Sequence, residues 1–307
     1  MGGHHGHGQG HAQAQAQGHA HGHGGADLDW GAMGDTLERR GELYLPLYRQ
    51  IIDDVREMAA APRRMLDAGS GPGVISALLA ESFPDAAVTA VDEAPELLRR
   101  ARERAERIGM GDRVATLQAE LPDGLGDLAD LDLVWLGQAL HHIGDQGAAL
   151  GEFARRMAPG GVLVLLEGGL PARYLPRQFG IGRPGLEARI DALHAEWFAE
   201  MRAGLPGAKE EPEDWSALLA GAGLRHVVSR TYLLDLPAPL SETGREHVVA
   251  TVSRMRDGLL DGLTSEDRRT LDRLLDPADP ESLHQRPDVF VLDAQTVHFA
   301  ALPGSSD

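Results

Sequence analysis

Apolar residues recur at two different periods along the chain, and the change of period divides it. Between residues 36 and 60, Leu37, Tyr44, Leu47, Tyr48, Ile51, Val55 and Met58 form a stripe at helical spacing, which predicts a helix capped by Asp35 and broken or kinked at Pro46. After Pro62 short apolar blocks alternate with amphipathic ones. Residues 64–67 predict a strand that ends at the turn Ala68-Gly69-Ser70-Gly71-Pro72-Gly73; residues 74–83 predict a helix, and 87–92 a second strand. Residues 95–108 predict a helix with Leu97, Leu98, Ala101, Ala105 and Ile108 on one side. Its arginines and glutamates interleave at helical pair spacing, which reads as a solvated face. Strands at 114–118, 131–136 and 161–167, with a helix at 148–157 between the last two, continue the alternation. A helix at 214–219, a strand around 226–234 and a last strand at 289–300 follow. Repeated strand–helix units of this length imply a parallel sheet with helices on both faces.

Two stretches interrupt the alternation. Residues 171–207 carry Tyr174, Phe179, His194, Trp197 and Phe198, and residues 237–280 predict two helices, the second opened by the capping box Thr264-x-x-Asp267. Both read as helical insertions near strand C-termini, where open α/β sheets bind ligands. Residues 1–25 contain only Met, Gly, His, Gln and Ala. They read as a disordered leader with too little apolar surface to fold, or more sharply as a metal-chelating tail. The expected divisions are the leader 1–25, an N-terminal lid helix region 26–60, a ligand-binding core 61–170, a cap insertion 171–212, and 213–307 as the rest of the sheet with its own insertion.

Composition narrows the partners. The net charge of −18 disfavours binding to a phosphate backbone, so nucleic acid is not expected. The longest aliphatic run, residues 162–166, is far short of the roughly 20 residues of a membrane helix. Zero cysteines exclude disulfides and thiolate chemistry and fit a reducing compartment, so a cytoplasmic location is expected, with a homodimer possible.

The chemistry concentrates at the glycine turn. Glycines let a backbone approach a ligand closely, and the helix behind them offers unpaired N–H groups and a positive dipole end. The spacing is G-x-G-x-G, not the G-x-G-x-x-G that seats a pyrophosphate, and Asp67 just before it would repel a diphosphate. An acid there suits an ammonium group. Asp92, closing the next strand, is placed to accept hydrogen bonds from ribose hydroxyls. Together they ask for a nucleoside with a zwitterionic tail, as in S-adenosyl-L-methionine. Each acid also has a plainer reading, as a cap of its neighbouring turn or helix; it is their occurrence in register at successive strand ends that favours the cofactor.

Over residues 35–167 the chain resembles the class I S-adenosylmethionine-dependent methyltransferases. The matching text is Met65-Leu66-Asp67-Ala68-Gly69-Ser70-Gly71-Pro72-Gly73, Val88-Thr89-Ala90-Val91-Asp92, Ala119-Glu120-Leu121-Pro122, Asp132-Leu133-Val134, Ala139-Leu140-His141-His142-Ile143 and Met157-Ala158-Pro159-Gly160-Gly161. The resemblance implies an α/β fold: a Rossmann-like, seven-stranded, mostly parallel sheet with helices on both faces and helical cap insertions. By position it implies that Asp67, Gly69, Ser70 and Gly71 hold the methionine end, Asp92 the ribose and Glu120 the adenine amino group, with Leu121 on the adenine face and Gln138 at the cofactor–substrate junction. The family usually shows Gly-Asp where this chain has Ala119-Glu120.

Methyl transfer from a sulfonium requires orientation and exclusion of water, worth about 7–11 kcal/mol, and a base adds roughly 10²–10⁴-fold when the nucleophile is a hydroxyl. His141 and His142 are expected to begin the helix after the fourth strand; either could be that base, with His142 ahead, or the pair could be structural. Tyr174, Arg177, Arg183, His194 and Trp197 are candidates for substrate contact, or, for the aromatics, for the insertion's own core. No metal-binding carboxylate cluster is apparent. The large cap and a composition with Lys209 as sole lysine resemble small-molecule methyltransferases of high-GC bacteria, many of which decorate natural products. The expected function is O-methylation of a secondary metabolite. C- or N-methylation, a fold that binds S-adenosylmethionine for a non-methylating reaction, a sensor and a dinucleotide dehydrogenase remain alternatives.

Overall fold

The computed structural model describes residues 33–59 and 61–304; the leader 1–25 lies outside them. The strands are β1 (Arg64–Ala68), β2 (Ala87–Asp92), β3 (Val114–Gln118), β4 (Leu131–Gly137), β5 (Met157–Arg173), β6 (Arg225–Leu236) and β7 (Val291–Ala301). They form one seven-stranded sheet in the order β3-β2-β1-β4-β5-β7-β6. Pairings from β3 through β5 are parallel, whereas β7 runs antiparallel to both β5 and β6. The mostly parallel α/β sheet is the one the sequence implies. The chain turns from β1 to β2 and β3 on one side and then crosses to β4 on the other, so the glycine turn after β1 sits at the topological switch point.

Alternate side chains of each central strand feed two cores. Met65, Leu133 and Trp135 pack on one face, under α2 (Leu45–Met58) and α3 (Val74–Ser82). Leu66, Val134 and Leu136 pack on the other, with Leu150 and Phe153 of α5 (Gln146–Arg156) and Leu219 of α7 (Trp215–Gly221). Both faces of a parallel sheet are thereby buried. The insertions supply α6 (Leu186–Ala203), α8 (Glu242–Gly258) and α9 (Ser265–Leu275). Half of the expected box forms at the start of α9: the Thr264 hydroxyl accepts from the Asp267 amide at 3.1 Å, while the Asp267 carboxylate accepts from the Thr264 hydroxyl at 2.9 Å. Among the described residues no helix is long and apolar enough to cross a membrane.

Three local expectations change. The N-terminal stripe is two helices, α1 (Gly34–Leu43) and α2, with the break at Tyr44; Pro46 stands in the first turn of α2, where its missing N–H costs no bond. Asp35 is no cap but an ion-pair partner of Arg100 at 2.6 Å. The charged side of α4 (Pro95–Arg107) is only partly solvated: Arg99 pairs with Glu96 and Glu103 at the surface, while Arg104 is buried against Glu38 and Glu42 at 2.5 and 2.6 Å. These pairs lock one side of α1 onto α4 and turn Leu37, Arg40 and Gly41 toward the strand ends. Finally, His141 and His142 lie in a single 3-10 turn, Leu140–His142; α5 starts later, at Gln146, capped by Asp145, whose carboxylate accepts from the Ala148 amide.

Candidate functional site

The C-terminal ends of β1, β2, β4 and β5 open onto a cleft of about 460 Å³, within the range that holds a nucleoside-sized ligand. The glycine turn forms its floor. The amides of Gly69 and Ser70 both donate to the Val91 carbonyl at 2.9 Å, pinning the turn to β2. Gly69 and Gly71 have φ of +73° and +52°. A Cβ on Gly69 would lie 2.6 Å from the Ala139 methyl, whereas one on Gly71 would meet nothing within 4 Å. Gly69 is thus required by packing as well as by φ, and Gly71 keeps backbone bare where a ligand can approach.

Asp92 lines the cleft and holds the turn, accepting from the Gly71 amide at 2.9 Å and the Ala94 amide at 3.0 Å. Burial raises its carboxyl above the usual range, against the pull of those amides. Glu120 and Leu121 line the same cleft with Leu97 and Ala119. Ser70 also lines it, and its buried hydroxyl has no hydrogen-bond partner. A cleft of this size, with bare backbone, an unpartnered hydroxyl and a strand-end acid, fits the nucleoside and amino-acid ends of S-adenosylmethionine.

Asp67 stands behind the turn and does not line the cleft. It is 2% exposed and accepts from the Ser76 hydroxyl of α3 at 2.5 Å. Burial pushes its carboxyl up to about 7, with the Ser76 bond opposing and the Asp92 charge adding. Its charge therefore reaches the cleft through the turn rather than by contact.

At the other wall, Gln138 is held at φ +54° and accepts a short hydrogen bond from Arg40 of α1. The Arg40 guanidinium also lies over the Tyr44 ring, 4.9 Å from its centroid. Tyr48 lines the cleft beside Trp135 in an edge-on contact. His141 and His142 both line it, their rings 4.2 Å apart. His141 has a carboxylate partner: its Nδ1 lies 2.9 Å from Oε2 of Glu167, a buried residue of β5 that also accepts from the His141 amide. This pairing assigns the proton to Nδ1 and leaves Nε2 as the acceptor. Burial pulls His142 down to about 4, with the neighbouring His141 and Arg202 adding to this. Arg202 of α6 clamps the turn from outside, donating to the carbonyls of His141 and Ile143 at 2.9 and 2.6 Å.

The five substrate candidates lie away from the cleft lining. Tyr174 is buried in the core, its amide bonded to Glu187. Arg177 is exposed, and Arg183 pairs with Asp267 at the start of α9. The rings of His194 and Trp197 on α6 lie 5.4 Å apart, tilted to one another, and Phe198 beside them reaches the His141 ring at 5.6 Å. Sequence reading missed Arg40, Leu205 and Pro206, which line the cleft, and Glu167 and Arg202, which hold its histidine turn. Glu167 had a signal, since it ends the expected apolar strand 161–167 as Asp67 and Asp92 end theirs; Arg40 sits on the same helical stripe as Leu37 and Tyr44, where a charged residue among apolar ones is the signal.

Residues 65–161 match the family described as a methyltransferase domain. The chain is 32% identical over 205 residues to trans-aconitate 2-methyltransferase of Methylobacterium nodulans, an alignment covering 62% of this chain and 76% of that one. It is 38% identical over 112 residues to demethylmenaquinone methyltransferase of Thermus thermophilus, covering 35% of this chain and only 48% of the relative. The fold is similar to that of a solved structure assigned as a methyltransferase from Bacillus halodurans C-125, with a TM-score of 0.51 at 17% identity over 82% of this chain and 98% of that one. With the glycine turn, the strand-end acids and these relatives in agreement, the chain belongs to the class I S-adenosylmethionine-dependent methyltransferases.

Proposed function

We propose that the chain transfers a methyl group from S-adenosylmethionine to an oxygen of a small molecule, a secondary metabolite, with His141 as general base. The observation that carries this reading is the His141–Glu167 pair, set in the wall of the cleft that holds the glycine turn. S-adenosylmethionine supplies a methyl carbon already activated by its positive sulfur. The turn 69–71, Asp92, Glu120 and Leu121 hold the donor, while Arg40 and Gln138 close its far end. His141 Nε2 takes the proton of the acceptor hydroxyl, and the Glu167 carboxylate on Nδ1–H stabilises the imidazolium that results. His142, held neutral by burial, packs beside it. Arg202 and the segment at Leu205 and Pro206 fix the histidine turn and keep water from one side of the cleft. The small-molecule acceptor accords with the name of the Methylobacterium relative.

The test is methyl labelling of a metabolite panel with the donor's methyl isotopically marked. An O-methyl product is expected, with His141→Ala lowering kcat roughly 10²–10⁴-fold while cofactor affinity holds. A tight cofactor complex that labels nothing, or an unimpaired His141→Ala, refutes the proposal.

A further inference from the structure

Behind Arg40, away from the glycine turn, buried polar atoms without partners gather. Of the nine buried side-chain nitrogen and oxygen atoms that lack a hydrogen bond among the described residues, four belong to His247 (both ring nitrogens), Thr251 and Gln295. Buried polar groups are normally satisfied, so such a concentration marks a place where a partner is missing. The group is continuous. His247, Thr251 and Arg254 follow one another along a single face of α8 at helical spacing. The Tyr44 ring lies 6.0 Å from His247, and its hydroxyl donates to Asp293 of β7 at 2.6 Å. Gln295 also donates to Asp293, at 3.2 Å. Tyr174 lies within the field of Arg40, Arg254 and Asp293.

Charge decides what the missing partner is. Arg40 bonds only the neutral amide of Gln138, and Arg254 has no ion pair among the described residues. Asp293 is already occupied by Tyr44 and Gln295. Glu187, on the far side of Tyr174, is bonded to the Tyr174 amide and lies in the field of Arg173. The tyrosine hydroxyls are uncharged, and His247, 2% exposed, is held neutral by burial and by the arginines around it. Arg254 lies in the field of Arg40, and the Asp293 carboxylate near Arg40 is already engaged, so positive charge is in excess beside the unpartnered atoms. That matches a planar monoanion better than a phosphate dianion, and a guanidinium fork is complementary to a carboxylate.

We propose that the methyl acceptor carries a carboxylate in addition to the oxygen that takes the methyl, anchored by Arg254 and His247 of α8 beside Arg40. This rests on the methyltransferase reading above and names the substrate class for it. Arg254 keeps an exposed flank, so its replacement spares the core.

The experiment is calorimetry on the full chain loaded with S-adenosylhomocysteine, titrated with 4-hydroxybenzoate, 4-hydroxyphenylacetate and 3-hydroxyhexanoate, each beside its neutral amide. At least one acid is expected to bind more tightly than its amide by roughly 10–100-fold, the worth of a hydrogen-bonded charge pair. Arg254→Met should abolish that advantage while the affinity for S-adenosylhomocysteine stays as it was, and His247→Leu should weaken it. If no acid outdoes its amide, or the preference survives Arg254→Met, the inference is wrong and the methyltransferase reading stands. Failure of the unaltered chain to bind S-adenosylhomocysteine would instead overturn that reading itself.

Discussion

Replacing Asp67 by Asn isolates one charge beneath the glycine turn. The amide keeps an oxygen for the Ser76 hydroxyl and removes only the titration. In the unfolded chain an aspartate loses its proton near 3.9, whereas in the fold burial holds the proton until about 7. Between those values the folded state carries one proton more than the unfolded state, so stability falls as pH rises, by about 1.4 kcal/mol per pH unit, and levels off above 7. From pH 5.5 to 7 that is ~2 kcal/mol, an upper figure because relaxation of the site softens it. Asp67→Asn lacks the term. Urea unfolding of the cofactor-free protein and the variant, at intervals from pH 5.5 to 8, should therefore show the variant gaining stability relative to its parent as pH rises, by ~2 kcal/mol over the window. The ionised carboxylate should also favour the ammonium end of S-adenosylmethionine, so affinity in the parent climbs up to about pH 7 and is lower and flatter in the variant. Stability curves that run parallel would show that Asp67 titrates in the ordinary range and would refute the electrostatic account of the turn.

Two further substitutions separate packing from ligand approach. Gly69→Ala meets both a positive φ and the Ala139 methyl at 2.6 Å, so it should cost at least ~2 kcal/mol in thermal or urea unfolding. Gly71→Ala has open space and only the φ to oppose it, about 1–2 kcal/mol, and should reduce cofactor affinity by calorimetry out of proportion to its effect on stability. Tyr44→Phe deprives the buried Asp293 of its shortest hydrogen bond; a loss of about 1–3 kcal/mol is expected in urea unfolding, and an unchanged midpoint would mean the bond contributes nothing.

Much of this protein is written locally. Strands β1, β2 and β4 are short apolar blocks stopped at or just before a glycine or an acid, and a parallel sheet with helices on both faces follows from the alternation of strands and helices because each face needs covering. The glycine turn and Asp92 are legible for the same reason: the backbone geometry that exposes a turn to a ligand demands particular residues at particular spacings. What adjacent residues do not specify is which distant groups meet. That Arg104 is buried against α1 while Arg99 stays in water depends on how two helices dock, since in sequence both are arginines of one charged helix. That His141 acquires the Glu167 carboxylate depends on the register of β4 and β5, which brings Glu167 beneath the turn. The polar group of Tyr44, His247, Gln295 and Asp293 joins the break between α1 and α2 to α8 and β7 across more than two hundred residues of chain. Hydrogen bonds and burial act over a few ångströms whatever the separation along the chain, so the elements and the glycine turn belong to the sequence, while the His141–Glu167 pair and the polar group behind Arg40 were decided only by the packing.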